Sequence, residues 1–226
     1  MNAFTGEKNE LENEIVKIIE KIVLKTLEDK ELFVLALPGG SSIDGIYEKL
    51  HATKIPWLKV QIFLTDERNL PIDNPESNFY KINNDLISTL DTVGRNLHYI
   101  KTEKAPQDAL LEYNNEFNQL GGQIDLVVLS SGEDGHVASL FPNHDSIKND
   151  SDGYIEVSES PKPPENRFSL SKKTIKNSSN CICLFFGDSK KESYNKFHSS
   201  EIDEIECPVK IINNIKNTYV FRDVIK

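Results

Sequence analysis

The sequence predicts an α/β fold: a single Rossmann-like domain over residues 1–226, with a mainly parallel sheet, helices on both faces and a small antiparallel strand pair near the C-terminus. Two observations predict this. Short apolar runs of strand length recur along the chain, each followed by turn chemistry, and between them lie stretches whose apolar residues repeat at helical spacing. Strands that alternate with helices build βαβ units and therefore a parallel sheet. Composition sets the scale, since 226 residues with 38% hydrophobic and 27% charged content suit one sizeable core, and no Pro/Gly/Ser-rich tract divides them.

The first element is an amphipathic helix, because Leu11, Ile15, Ile18, Ile19, Ile22 and Leu27 share a face with Glu and Lys between them. Its polar face mixes both signs, which disfavours a membrane-surface role. Strands follow at 32–37, 60–64, 97–100, 126–129 and 181–186, separated by helical patterns at 43–51, 77–90, 106–120 and 189–198. Residues 143–164, rich in Asp, Ser, Pro and Lys, read as a long surface excursion with a short strand at 154–157. Residues 209–212 and 218–221 would form the closing strand pair.

Charge and cysteine usage exclude several classes. With 26 Lys and Arg against 36 Asp and Glu the net charge is −10, unsuited to a broad nucleic-acid surface, which needs clustered cations to release counterions. A small anionic ligand remains possible, held by a local group of cations. Cys181, Cys183 and Cys207 form no even framework, and the first two fall on one strand as small buried hydrophobes rather than a disulfide or metal site. The N-terminal segment carries Glu and Lys every few residues, and no run approaches the roughly 18 apolar residues of a membrane span. A reducing, cytoplasmic location is the expectation.

The chemistry gathers at strand ends, where open α/β sheets bind ligands. Gly132, Glu133, Asp134, Gly135 and His136 follow the 126–129 strand, combining a histidine and two carboxylates with permissive backbone. Asp134 could equally cap the next helix. The first sheet strand runs into Gly39, Gly40, Ser41 and Ser42 before a helix, a backbone suited to cradling a phosphate, though without the Lys of a P-loop or a dinucleotide fingerprint. Asp66, Glu67 and Arg68 end the next strand, where the Arg fork suits phosphate or carboxylate oxygens and a structural ion pair is the competing reading. Lys190 follows the 181–186 strand, and Arg167 lies upstream. If the strands are parallel, Gly40, Arg68, His136 and Lys190 occupy one edge of the sheet. His51, His98, His144 and His198 read as structural or solvated. A zinc site from Asp134, His136 and His144 matches no common metal spacing.

Taken in order, these pieces resemble the 6-phosphogluconolactonase family, which is related to the glucosamine-6-phosphate deaminases. The matching pieces are Gly39-Gly40-Ser41, Asp66-Glu67-Arg68, Ser77-Asn78, Gly132 to His136 with Ala138-Ser139-Leu140-Phe141-Pro142, Arg167-Phe168-Ser169, and Gly187 with Lys190. The likeness runs from about residue 35 to Asp223. Deaminases typically carry Asp-Glu-Tyr and Phe-Asn-Glu-Pro where this chain has Asp66-Glu67-Arg68 and Ser139-Leu140-Phe141-Pro142, so both positions look like the lactonase. The chain departs from the pattern at Ile43, where the family usually has proline, and at Ser130, where it has glycine.

The resemblance implies hydrolysis of 6-phospho-D-glucono-1,5-lactone to 6-phosphogluconate in the oxidative pentose phosphate pathway. His136 would be the general base, since an imidazole titrates near about 6.5. Asp134, or alternatively Asp66, would orient its ring, and Arg68 would stabilise the oxyanion or hold the phosphate. Gly39, Gly40, Ser41, Ser42, Arg167 and Lys190 would bind the 6-phosphate. No cofactor and no metal are implied. The partner would be the small phosphosugar lactone, not nucleic acid or membrane, with the chain a monomer or weak homodimer. A deaminase-type isomerase and a catalytically silent phosphosugar-binding module are the competing readings.

Overall fold

The computed structural model describes residues 1–90 and 96–224. Strands β1 (Asn2–Gly6), β2 (Phe33–Leu37), β3 (Val60–Leu64), β5 (Leu126–Ser130), β8 (Asn180–Phe185) and β9 (Asn217–Asp223) form a sheet in the order β1-β9-β8-β5-β2-β3. Every pairing in it is parallel. A smaller antiparallel sheet joins β4 (Asp66–Arg68), β7 (Arg167–Leu170) and β6 (Tyr154–Val157), in the order β4-β7-β6.

The main sheet is buried on both faces, as parallel sheets are. Along β2, Phe33, Leu35 and Leu37 enter one apolar cluster while Val34 and Ala36 enter the other, the two-residue period of a strand. The first cluster receives α1 (Lys8–Thr26), α2 (Asp44–Leu50) and α3 (Asn78–Asp85). The second receives α4 (Pro106–Gln119), α5 (Asp145–Lys148), α6 (Lys172–Lys176), α7 (Lys191–His198) and the small sheet. In α1 the buried stripe Leu11, Ile15, Ile19, Ile22 and Val23 docks the helix, each side chain contributing about 1.5–3 kcal/mol. Local chemistry sets several helix starts: Ser77 Oγ accepts the Tyr80 amide, Pro106 opens α4, and Ser171 Oγ accepts the Thr174 amide.

Three expectations are corrected. The C-terminal antiparallel pair does not form. Pro208–Asn214 is a run of 3-10 turns, begun at a proline and tied by Val209 N to Gly135 O at 2.9 Å, and β9 enters the main sheet parallel to β8 and β1. Residues 97–100 make a single bridge, Leu97 beside Ile62, in which His98 N donates to Ile62 O at 2.9 Å, and the His98 ring stacks on Phe63 with centroids 4.3 Å apart. Residues 143–164 are a surface excursion only in part: 150–152, 158 and 159 are exposed and the expected strand forms as β6, but Ile147, Tyr154, Ile155 and Val157 are buried in the second cluster.

Candidate active site

Because β2, β3, β5 and β8 run parallel, the loops after them open on one edge of the sheet. They enclose a cleft of about 190 Å³ lined by Gly39, Gly40, Ser41, Ser42, Asp66, Arg68, His136, Arg167 and Lys190, among others. Of the residues singled out in the sequence, Glu67, Glu133, Asp134 and Gly135 do not line this cleft, and Asp134 reaches it through its bond to His136.

His136 is held from three sides. Its Nδ1 lies 2.6 Å from Asp134 Oδ1, and the same oxygen accepts the His136 amide at 3.1 Å. A Cβ on Gly132 would stand 2.0 Å from Nδ1, so the ring needs glycine beneath it. Phe141 packs on the ring with centroids 4.9 Å apart. Gly132 N donates to His136 O at 2.7 Å and Gly135, at φ +95°, turns the chain. Among the described residues Nε2 has no hydrogen-bond partner. With Asp134 accepting from Nδ1–H, Nε2 is the nitrogen left to take a proton. Burial alone would push the Asp134 carboxyl up, but the His136 contacts and the nearby Lys162 ammonium outweigh it and hold it well below the usual carboxylate range.

Asp66 does not orient the imidazole, which corrects that alternative. Its Oδ2 accepts from Ser139 Oγ at 2.7 Å, Oδ1 accepts from Asn78 Nδ2 at 3.2 Å, and Arg167 Nη1 stands 3.9 Å away. Asp66 thus ties the His136 segment, through Ser139, to α3 and β7. Glu67 is buried and accepts four hydrogen bonds, from Arg68 N at 2.6 Å, Ser77 Oγ at 3.0 Å and the amides of Asn78 and Phe79 at 2.8 Å each. It anchors the start of α3 beneath the cleft, a role its sequence neighbours did not reveal. Asn78 then packs so closely on Gly39 that a Cβ there would meet Asn78 Oδ1 at 2.1 Å.

The turn after β2 presents donors. Ile43 N is the first amide to bond back, to Gly40 O at 3.3 Å, so the amides of Gly40, Ser41 and Ser42 have no acceptor among the described residues. Lys190 is half-buried at the opposite wall, and burial first, then the Lys162 ammonium, push its own ammonium down despite Glu133 and Asp134. Arg68 Nη1 donates to Glu76 O at 3.1 Å, while its buried Nε has no partner among the described residues.

Arg167 fits a phosphate less well than the turn does. Its Nε donates to Pro164 O at 3.0 Å and its Nη2 to Pro163 O at 2.8 Å and Lys162 O at 3.1 Å. Only Nη1 faces the cleft floor, 3.5 Å from Ser139 Oγ. Neither Ser130 nor Ile43 stands in the left-handed region, so the two departures from the family pattern carry no backbone strain. Ser131 Oγ lies 3.0 Å from Gly132 O and 3.2 Å from Ser193 Oγ, within hydrogen-bond reach of both, which ties the loop to α7.

The remaining histidines lie apart from the cleft: His51 contacts Thr89, His98 sits between Gln61 and Glu116, His144 caps α5, and His198 packs on Tyr194 and Phe197. Asp134, His136 and His144 are not assembled as a metal site, and among the described residues no group of 3 or more His, Cys, Asp and Glu side chains could hold an ion. No helix among these residues is long and apolar enough to cross a membrane. The three cysteines are free and buried.

Residues 6–221 match the model of the family described as glucosamine-6-phosphate isomerases/6-phosphogluconolactonase, and the chain belongs to that family. The 6-phosphogluconolactonase of Thermotoga maritima is 35% identical over 176 residues, covering 76% of this chain and 79% of the relative. That of Borreliella burgdorferi is 30% identical over 204 residues, covering 87% and 86%. A crystal structure of the Thermotoga maritima 6-phosphogluconolactonase superposes with a TM-score of 0.88 at 28% identity, covering 99% of each chain. A monomeric glucosamine-6-phosphate deaminase superposes at 0.84 with 21% identity over 99% of this chain and 97% of that one, a likeness of fold.

Proposed function

We propose that the chain hydrolyses 6-phospho-D-glucono-1,5-lactone to 6-phosphogluconate, a step of the oxidative pentose phosphate pathway. The observation that carries this reading is the His136–Asp134 pair, 2.6 Å apart, with Nε2 unpartnered among the described residues in a cleft also lined by turn amides that have no acceptor among them. His136 Nε2 takes a proton from water as its oxygen attacks the lactone carbonyl. Asp134 fixes the Nδ1–H tautomer and stabilises the imidazolium that forms, a pairing of base and orienting group typically worth about 10²- to 10⁴-fold. The tetrahedral intermediate collapses with cleavage of the bond to the ring oxygen, which receives the proton from Nε2 and leaves as a hydroxyl. The acid product ionises in solution.

The non-reacting end carries the phosphate. The amides of Gly40, Ser41 and Ser42 meet its oxygens, and Lys190 supplies a cation already partly stripped of water, whose attraction to an anion is stronger for that reason. Arg68 supplies a second cation, tethered through Glu76, for the phosphate or for the oxyanion. The relatives at 30–35% identity bear the lactonase name, which supports this reading over the deaminase one.

The test is a pH-stat assay on freshly made lactone, corrected for spontaneous hydrolysis, beside an assay for ammonia release from glucosamine 6-phosphate. Turnover of the lactone without ammonia release is expected. Ammonia release would replace the reading with the deaminase reaction, and binding of 6-phosphogluconate without lactone turnover would reduce the protein to a binding module.

A further inference from the structure

The connection between β6 and β7, residues 158–166, brings Lys162 to the loop that carries His136, and its backbone is held at several points. Arg167 spends Nε and Nη2 on the carbonyls of Lys162, Pro163 and Pro164 in succession. Ser160 adds to the grip: its Oγ donates to Lys162 O at 2.9 Å, its Oγ accepts the Lys162 amide at 3.3 Å, and its own amide donates to Glu165 O at 3.0 Å. Arg167 is itself buried, 6% exposed, so its desolvation is committed to shaping this one loop. An ordinary solvated lysine would need no such support.

The Lys162 ammonium meets two carboxylates of the His136 loop. It stands 2.9 Å from Glu133 Oε1 and 3.9 Å from Asp134 Oδ2, the Asp134 oxygen that His136 leaves free. Asp134 is thereby held at both oxygens, by the imidazole on one and by the ammonium on the other.

We infer that Lys162 is a positioning residue for the imidazole–carboxylate pair: clamped by Arg167 and Ser160, it holds Asp134 through Oδ2 and so sets the orientation of His136. The charges facing this pair are Glu133 on its own loop, Lys162 on the β6–β7 connection, Lys190 and Lys196 on the segment from the turn after β8 through α7, and the thiol of Cys207. The ammonium is a charge that the imidazole–carboxylate pair feels when its proton moves, so its removal is read in the pH profile of the reaction. Arg167 then acts two steps from the chemistry, by way of the loop it holds.

The kinetic arm of the test rests on the lactonase reading, and the spectroscopic arm does not. In Lys162→Met, which keeps the stem and removes the charge, the acidic limb of kcat/KM should move to higher pH by roughly half a unit, the size expected for one partly screened charge at this range. The loss of rate should therefore be greater at pH 6 than at pH 8, with KM little changed. Lys162→Arg should restore the limb. The exposed Glu133→Gln variant, which removes a negative charge without disturbing the core, should move the limb in the opposite direction. In the resting protein, the NMR titration of the His136 ring, assigned with His136→Asn, should show the same upward move in Lys162→Met.

An equal loss of rate at every pH with an unmoved NMR titration would overturn the inference, as would a raised KM at unchanged kcat, which would make Lys162 a substrate ligand. Should Lys162→Met fail to fold, the Glu133→Gln shift still decides, and no shift there would overturn it. An NMR shift without lactone turnover would uphold the positioning role while removing the lactonase reading.

Discussion

His136 Nδ1 and Asp134 Oδ1 lie 2.6 Å apart, and that same oxygen also accepts the His136 amide, so the carboxylate fixes ring and backbone together. The two residues are only 2 apart in sequence, and the bond closes because Gly132 and Gly135 let the intervening chain fold under the ring. Orientation of the base is thus built into the loop itself, with Phe141 as its packing surface and Lys162 as its outer brace.

Gly132→Ala is expected to lower kcat by more than about 10²-fold, the usual result of misplacing a catalytic group by an ångström. The new methyl would stand 2.0 Å from Nδ1, so the ring must move. Circular dichroism should show a native fold beside the lost rate in the lactone assay. A variant with wild-type kcat would mean that the ring position is not required.

Asp134→Asn should alter the acid stability in a defined window. The Asp134 carboxyl is held below its unfolded value, so its ionised form stabilises the fold above about pH 4. That contribution disappears as pH falls through the folded value. Urea midpoints measured at pH 7 and pH 3 should therefore show the gap between wild type and Asp134→Asn narrowing on acidification, and a constant gap would contradict it.

Glu67→Gln should destabilise the protein by about 2–3 kcal/mol, because an amide N–H₂ would face donors that now converge on a buried carboxylate. In a chain of this length that corresponds to a Tm fall of roughly 5–10 °C by calorimetry. Burial pushes the Glu67 carboxyl up, against the four hydrogen bonds that lower it. An unchanged Tm would remove Glu67 as the anchor of α3.

Lys190→Ala should raise KM for the phosphorylated lactone by about tenfold to a hundredfold with kcat nearly unchanged, the loss of a charge-assisted contact made equally before and during reaction. Arg167→Ala should instead lower Tm, since its donors hold three carbonyls of the Lys162 loop. Steady-state kinetics beside thermal melts separate the two effects. Wild-type KM in Lys190→Ala would clear that residue of phosphate binding.

What the sequence made legible was local. The runs at β2, β3, β5 and β8 are apolar but for Gln61, Ser130 and Asn180, because both faces of a parallel sheet are covered, and turn residues mark their ends, so the cleft-lining loops could be placed on one edge. Less legible were β1, an edge strand with weak alternation, and β4 and β7, three and four residues long, whose pairing depends on partners about 100 positions away. Val209, Ile211 and Ile212 are apolar enough for a strand, but Pro208 and the bond to Gly135 bend them into 3-10 turns. The roles of Glu67, Asn78, Ser139 and Lys162 come from tertiary contacts that no local pattern announces. Ser139 and Phe141 belong to the family-like stretch after His136, but their contacts are tertiary: one holds Asp66 and the other supports the ring of His136.

The most direct test of the central claim, that His136 activates water for attack on the lactone, is the kcat of His136→Ala on fresh 6-phosphogluconolactone, with spontaneous hydrolysis subtracted. The account predicts a fall of about 10²- to 10⁴-fold with KM close to wild type, because the phosphate contacts lie on other loops. A kcat equal to wild type would contradict it and remove His136 from the chemistry.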